Sequence, residues 1–411
     1  MTLARNQEYG TGVGQPGTIL FIAGTRPEAV KLAPLILDLQ ARGETPLLVA
    51  TGQHRDLFDE ALAGFGLQAD HDLGVMAATP DLVVGRLVPM LADVIRASQP
   101  AIVVVQGDTS STFAGALAAR YAGVPVAHVE AGLRTGTHDP HPEEMHRKLA
   151  AQMADLHFAP TEVAAAALRN EGVTDGIHVT GNSGIDALLL MQERLATDQW
   201  LANSASAPLA GIPITRPWLL ATVHRRENQG RKLAAVLDAL TELADEAEII
   251  LPVHPSPAIS GPVRARLEGR ANIHLLPPLA YAAFVALMGR ATLVLTDSGG
   301  VQEEAPALGL PCLVLRDVTE RPEAIASGNS MLVGCEAAAI IATARAVLGD
   351  AALRARMGRP ALPYGSGGAA RAINDVLLGK VRSQVVPSSL QMSESSLQSG
   401  GHRQWSRADA R

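Results

Sequence analysis

At 411 residues the chain is too long for one compact core, so two domains are the expectation. It is 47% hydrophobic, 18% charged and only 3% aromatic, which excludes wholesale disorder and predicts cores built from Ala, Leu and Val. A formal net charge of −7, with no dense basic run, argues against nucleic acid as a partner.

Short β-branched runs recur along the chain: "TILFIAG" (18–24), "PLLVAT" (46–51), "AIVVVQ" (101–106), "VPVAHV" (124–129) and "LHFAP" (156–160). After a gap come "WLLATV" (218–223), "EIILPV" (248–253), "ATLVLT" (291–296) and "PCLVL" (311–315). They are apolar throughout rather than alternating, the pattern of parallel strands covered on both faces. Amphipathic segments at 27–41, 82–98, 109–121 and 231–246 separate them and predict helices. The alternation breaks between about 182 and 215, where a helix and a small-residue, Pro-bearing connection are expected.

The expected fold class is therefore α/β, with two Rossmann-like doubly wound domains facing across a cleft. They span 1–182 and 183–365, and a ligand is expected between them. From 383 onward the chain is Ser- and Gln-rich without periodicity and reads as a disordered tail to 411. No run of about eighteen apolar residues predicts a membrane span. "TILFIAG" is too short for a secretory leader. Cys312 and Cys335 stand at no metal-ligand spacing and read as buried reduced thiols, so a cytoplasmic protein without a metal site is expected.

The ionisable residues crowd the ends of these strands. In "AGTRPEAVKLAPL" (23–35) a Gly ends the strand, a Thr can cap the helix, and Arg26 and Lys31 fall on its first turns. Two cations at a helix N-terminus favour a diphosphate, although a solvated helix face would also carry them. In "QGDTSSTFAGAL" (106–117) Asp108 can cap the helix opening at Thr109, the commoner use of such an Asp. "HVEAGLRTGTHDPHPEEMHR" (128–147) places Glu130 at a strand end and Glu143 and Glu144 at a helix start. A solvated helix start explains one of that last pair and not Glu130.

"ATVHRRENQG" (221–230) puts His224 at another strand end, and "PVHPSP" (252–257) repeats this more weakly with His254. In "TLVLTDSGGVQEEAPALG" (292–309) a strand runs into Ser298, Gly299 and Gly300, where the backbone can approach a phosphate. Glu304 follows, placed to accept ribose hydroxyls, and Arg321 comes later. There is no Gly-Lys-Ser/Thr, so this is not a Walker loop.

Taken in order, "GTRPEAVKLAPL", "TGQHRDLFDEAL", "GDTSSTFAGALAA", "HVEAGLRTG", "PEEMHR", "VTGNSGIDAL", "HRREN", "PVHPSP" and "LTDSGGVQEEAPALGLPCLVLRDVTERPEA" resemble the non-hydrolysing UDP-N-acetylglucosamine 2-epimerases. The match covers about 20 to 334, and "LPYGSGGAAR" (362–371) extends it. The resemblance implies a glycosyltransferase-B-like fold in which a final helix, 366–380, returns to the first domain. It implies a cytoplasmic homodimer that epimerises a UDP-sugar at C2 for cell-surface polysaccharide precursors. UDP is eliminated to give 2-acetamidoglucal and added back, so no cofactor is needed, in keeping with the absence of a G-x-G-x-x-G turn.

Carried over by position, the acid/base candidates are Asp108, Glu130 and Glu143, with His224 near the leaving diphosphate. Arg26, Lys31, Ser298, Gly299, Gly300, Glu304 and Arg321 match UDP contacts. Leu279 and Phe284 match the border of the uracil; Arg147, at the end of "PEEMHR", reads as a cleft-side cation that helps bind the substrate. The sequence departs from the family at His146, where Asn is usual, at Ser366, and in a stretch between Glu130 and Glu143 that is one residue short. A second, regulatory substrate site in the family uses a "QHR" motif. Gln53, His54 and Arg55 are present, but Asp56 replaces the usual Gln or Glu. A modified sugar, a hydrolysing epimerase releasing N-acetylmannosamine, a glycosyltransferase and an inactive nucleotide-sugar-binding regulator stay open.

Overall fold

The computed structural model describes residues 17–52, 55–77 and 79–385. The first seven strands are β1 (Ile19–Ala23), β2 (Leu47–Ala50), β3 (His71–Asp72), β4 (Ile102–Gln106), β5 (Val126–Val129), β6 (Leu156–Ala159) and β7 (Ile177–Val179). They form one all-parallel sheet in the order β3-β2-β1-β4-β5-β6-β7. The second sheet holds β8 (Trp218–Thr222), β9 (Glu248–Pro252), β10 (Ile273–Leu276), β11 (Leu293–Thr296), β12 (Cys312–Val314) and β13 (Ser330–Leu332). It too is parallel, in the order β10-β9-β8-β11-β12-β13. In both sheets the order reverses beside the first strand, and the crevice at that switch point is where such folds bind ligands.

All nine runs read from the sequence are strands. Four further strands, β3, β7, β10 and β13, have no such run, and all four are sheet edges. The four expected helices are present as Arg26–Ala41, Pro80–Ser98, Ser110–Tyr121 and Arg231–Leu243. Each sheet has an outer apolar core of its own, around Leu20, Ile22 and Leu87 in the first and Leu219, Leu240 and Ile249 in the second. The inner faces share one continuous cluster that runs from Phe21 and Leu35 through Leu188 to Leu220 and Leu287.

Among the described residues the chain crosses between the sheets twice. The outward crossing is helix Ser183–Thr197, followed by a second helix, Gln199–Ser206, where a small-residue connection was expected. That second helix starts because the Asp198 side chain accepts the Leu201 N–H at 3.0 Å. The return crossing passes Tyr364 and Gly365 into helix Ala369–Val385. This helix lies on helix Arg26–Ala41, where Asn374 Nδ2 donates to the Leu35 carbonyl at 2.9 Å and Arg42 pairs with Asp375 at 2.5 Å. It begins and ends later than the expected 366–380, and its last turn enters the Ser- and Gln-rich stretch. The rest of that expected tail, and Gln53 and His54 of the regulatory motif, lie outside the described residues. Among the described residues no helix is long and apolar enough to cross a membrane.

Candidate active site

Glu130 follows β5 directly, with φ at +64°, in the left-handed region that costs a non-glycine residue about 1–2 kcal/mol. That turn aims its carboxylate between the two sheets. Oε2 meets the Lys31 ammonium and accepts Asn182 Nδ2 at 3.0 Å, and Oε1 lies 3.6 Å from Arg321 Nη2. Lys31 also pairs with Glu303 at 2.8 Å, and Arg321 Nε donates to Glu303 at 2.6 Å. Arg321 Nη1 reaches Glu320 as well. None of these side chains is more than 8% exposed.

Burial opposes every charge in this cluster, and the balance between burial and neighbouring charges sets each proton affinity. Glu130 is raised by burial despite Lys31. Lys31 is raised because Glu130 and Glu303 outweigh its burial. Glu303 is lowered because Arg321 and Lys31 outweigh its burial.

Asp108 stands after β4, beside the start of helix Ser110–Tyr121. It does not cap that helix as expected: Thr109 does, its Oγ1 accepting the N–H of Ser111 at 3.1 Å and of Thr112 at 3.2 Å. The Asp108 carboxylate is thereby free to meet Arg147, and Arg147 and Arg225 outweigh burial to hold its pKa low. Its carbonyl is bonded to His146 Nδ1 at 3.1 Å, and the His146 ring stacks on Phe113 at 5.2 Å.

Arg147 also pairs with Glu144 at 3.1 Å, which makes Glu144 a buried structural anion. Glu143, one residue earlier, opens helix Glu143–Met153 half-buried. Arg134 pairs with Glu171 at 2.6 Å.

From the second sheet, His224 follows β8 with Nδ1 3.2 Å from Asp297 Oδ1. Asp297 is fully buried and also accepts the backbone N–H of Arg225 at 2.9 Å. Desolvation lowers the His224 pKa against the pull of Asp297. His254 stacks on it at 5.9 Å.

Ser298 occupies the cap of helix Gly299–Ala307. Gly299 gives the Arg321 guanidinium its room, since a Cβ there would stand 2.6 Å from the guanidinium carbon and force it to shift; at Gly300 a Cβ would meet open space. Glu304 accepts Tyr281 Oη at 2.8 Å, and burial pushes its pKa up to about 7. Arg26 crosses from the first half: Nη1 donates to the Leu279 carbonyl at 2.7 Å, and the guanidinium lies 5.9 Å from the Phe284 ring centroid.

Three groups of sequence-named residues thus meet: Lys31, Glu130, Arg321 and Gly299; Asp108 with Arg147; and Arg26 with Leu279 and Phe284. Glu320 pairs with Arg321 of the first group and, at 3.5 Å, with Arg225, and its charge also acts on Arg147 of the second. Sequence reasoning missed Glu303, Glu320, Asn182 and Tyr281. Glu303 stood beside a chosen Glu304, and the helical turn of 100° per residue could have flagged that the two face different ways.

A family model described as UDP-N-acetylglucosamine 2-epimerase matches residues 38–378. The UDP-N-acetylglucosamine 2-epimerase of Neisseria meningitidis is 39% identical over 368 residues, covering 88% of this chain and 99% of that one. The one from Escherichia coli K12 is 40% identical over 370 residues, 87% of this chain and 98% of its own. The crystal structure of the Neisseria meningitidis UDP-GlcNAc 2-epimerase bound to UDP-GlcNAc superposes with a TM-score of 0.85, at 39% identity over 88% of this chain and all of that one. The wall teichoic acid polymerase TagF, at 12% identity and a TM-score of 0.54, shares the fold alone. The fold is glycosyltransferase-B-like, and the chain belongs to the UDP-N-acetylglucosamine 2-epimerase family of isomerases.

Proposed function

We propose that the protein interconverts UDP-N-acetylglucosamine and UDP-N-acetylmannosamine without hydrolysis, by elimination and re-addition of UDP. The observation that carries this reading is the buried cluster of Glu130, Lys31, Glu303 and Arg321 between the strand ends of the two sheets. The C2 proton has no neighbouring carbonyl to stabilise a carbanion. It becomes removable as the C1–O bond to UDP breaks with its electron pair and C1 gains oxocarbenium character. Loss of both gives 2-acetamidoglucal and UDP; return of UDP to C1 and of a proton to the opposite face of C2 gives the epimer.

Such a site needs acids and bases whose proton affinities are set apart, and Asp108 is held low while Glu130 is raised. Glu143 completes the acid/base set, and His224 donates to the departing diphosphate. Arg26, Lys31, Arg147, Arg321 and the Ser298–Gly300 turn hold UDP, with Leu279 and Phe284 beside the uracil and Glu304 on the ribose. Two buried free thiols, Cys312 and Cys335, suit a reducing cytoplasm. There we place the protein as a homodimer supplying polysaccharide precursors.

Incubation with UDP-N-acetylglucosamine in heavy water, followed by proton NMR, tests this. UDP-N-acetylmannosamine should appear, with deuterium at C2 of both epimers. Free N-acetylmannosamine alone would identify a hydrolysing enzyme, and absence of both exchange and epimer would sink either epimerase.

A further inference from the structure

The two chain crossings touch each other beside Glu130. A Cβ on Gly181 would lie 3.1 Å from the Tyr364 carbonyl oxygen, and one on Gly365 would lie 3.3 Å from the Gly181 Cα. Asn182 N–H donates to the Tyr364 carbonyl at 2.8 Å. The Tyr364 hydroxyl, fully buried, donates to the Arg321 carbonyl and accepts the Ala324 N–H, each at 3.2 Å. The Asn182 side chain divides its two ends. Oδ1 accepts the Gly184 N–H at 2.8 Å and so caps the outgoing crossing helix, while Nδ2 donates to Glu130 at 3.0 Å. A ring of contacts therefore closes: Glu130 to Asn182, Asn182 to Tyr364, Tyr364 to Arg321, and Arg321 back to Glu130.

We infer that Asn182 is a positioning residue, which ties the carboxylate of Glu130 to the point where the two halves of the molecule are joined. The inference rests on the reading of Glu130 as an acid/base group at C2. Asn suits the position because its amide presents an acceptor and a donor at once. Asp keeps the acceptor and loses the donor; Ser keeps the cap and falls short of Glu130. Rotation of one half against the other about this junction would move the Asn182 amide and the Arg321 guanidinium relative to Glu130. The carboxylate would then be held in its full set of bonds only when the halves stand as they do here.

The charged groups facing Glu130 are Lys31 from the first helix, Glu303 from helix Gly299–Ala307, and Arg321. Asn182 adds the neutral donor, which favours the ionised form. Its loss raises the Glu130 pKa, so whichever limb of the kcat/KM pH profile reports Glu130 moves to higher pH.

The test compares Asn182→Ser and Asn182→Asp with the unaltered protein in the heavy-water exchange assay. Both variants keep an oxygen suited to the helix cap, so Asn182→Ser should melt close to the parent, while Asn182→Asp melts lower at neutral pH because it buries a second carboxylate against Glu130. Asn182→Ser is expected to lower kcat roughly 10- to 100-fold, with KM within about three-fold. Its Glu130 limb should move to higher pH, and the limb of Asn182→Asp further, because a second carboxylate then faces the first. Variants with the parental rate and pH profile would overturn the inference. So would a lowered rate with unmoved limbs and a lowered melting temperature, the signature of a cap alone. If the parent protein itself shows neither exchange nor epimer, the proposed reaction fails and takes this inference with it.

Discussion

Gly299 and Glu304 sit one helical turn and a half apart, yet their demands on the chain differ in kind. At Gly299 the constraint is steric: a Cβ there would stand 2.6 Å from the Arg321 guanidinium carbon, and Arg321 is itself pinned by Glu303 and Glu320. Gly299→Ala therefore forces the guanidinium to shift and strains its pairing with Glu303 and Glu320. We expect UDP binding by calorimetry to weaken roughly 10- to 100-fold, as for other loss of a supporting contact, while the fold persists. At Glu304 the constraint is electrostatic. Its pKa of about 7 in the folded protein exceeds the ordinary carboxyl value. The folded state therefore binds the proton more tightly, and stability falls as pH rises from the unfolded pKa through 7. Above that window the buried charge costs about 3 kcal/mol. Glu304→Gln removes the charge and keeps an acceptor for Tyr281. It should gain stability over the parent in urea titrations at pH 8, with little gain at pH 5; equal gains at both would show that Glu304 is not raised.

At the scale of elements, what the sequence reveals follows from burial. β1, β4 and β5 are buried at every position, so their apolar runs stand out. The edge strand β3 is the dipeptide His71–Asp72, and β10 and β13 each bury only one residue, at their first position. An edge covered on one side needs no continuous apolar run, and that is why these strands carry no sequence signal. The site divides the same way. Residues ending a buried strand, such as Glu130 and His224, were legible singly. Their partners were not, because Lys31 and Glu130 are 99 residues apart and pairing is decided by sheet order.

Caps across elements were equally hidden. Asp186, on the outgoing crossing helix, accepts the N–H of Gly368 at 2.8 Å and of Ala369 and Ala370 at 3.2 Å, and so starts the returning helix. Asp186→Ala should cost about 1–2 kcal/mol in urea unfolding. A loss near zero would mean that the buried face of Ile373 and Leu377 holds that helix alone.

For the whole molecule, the question is what joins the two halves. Apolar packing does part of this, since one cluster runs from Phe21 to Leu287. Lys31 and Glu303 add a charged link, 2.8 Å apart with side chains 8% and 1% exposed, one from each half. Such a pair contributes little over a well-packed apolar alternative, but its halves cannot be removed separately. Lys31→Met leaves Glu130 and Glu303 with Arg321 as their remaining shared cation. Glu303→Gln leaves Lys31 and Arg321 with one fewer anion. Each single change should therefore cost about 3–5 kcal/mol in urea unfolding. The double variant should cost less than their sum by about 1–3 kcal/mol, because the second change removes the group that the first left unpaired. Strict additivity would show that the halves are held by their apolar cluster and that the ion pair is no part of the joint. The measured coupling would thus separate the forces that close the cleft from the charges placed in it for chemistry.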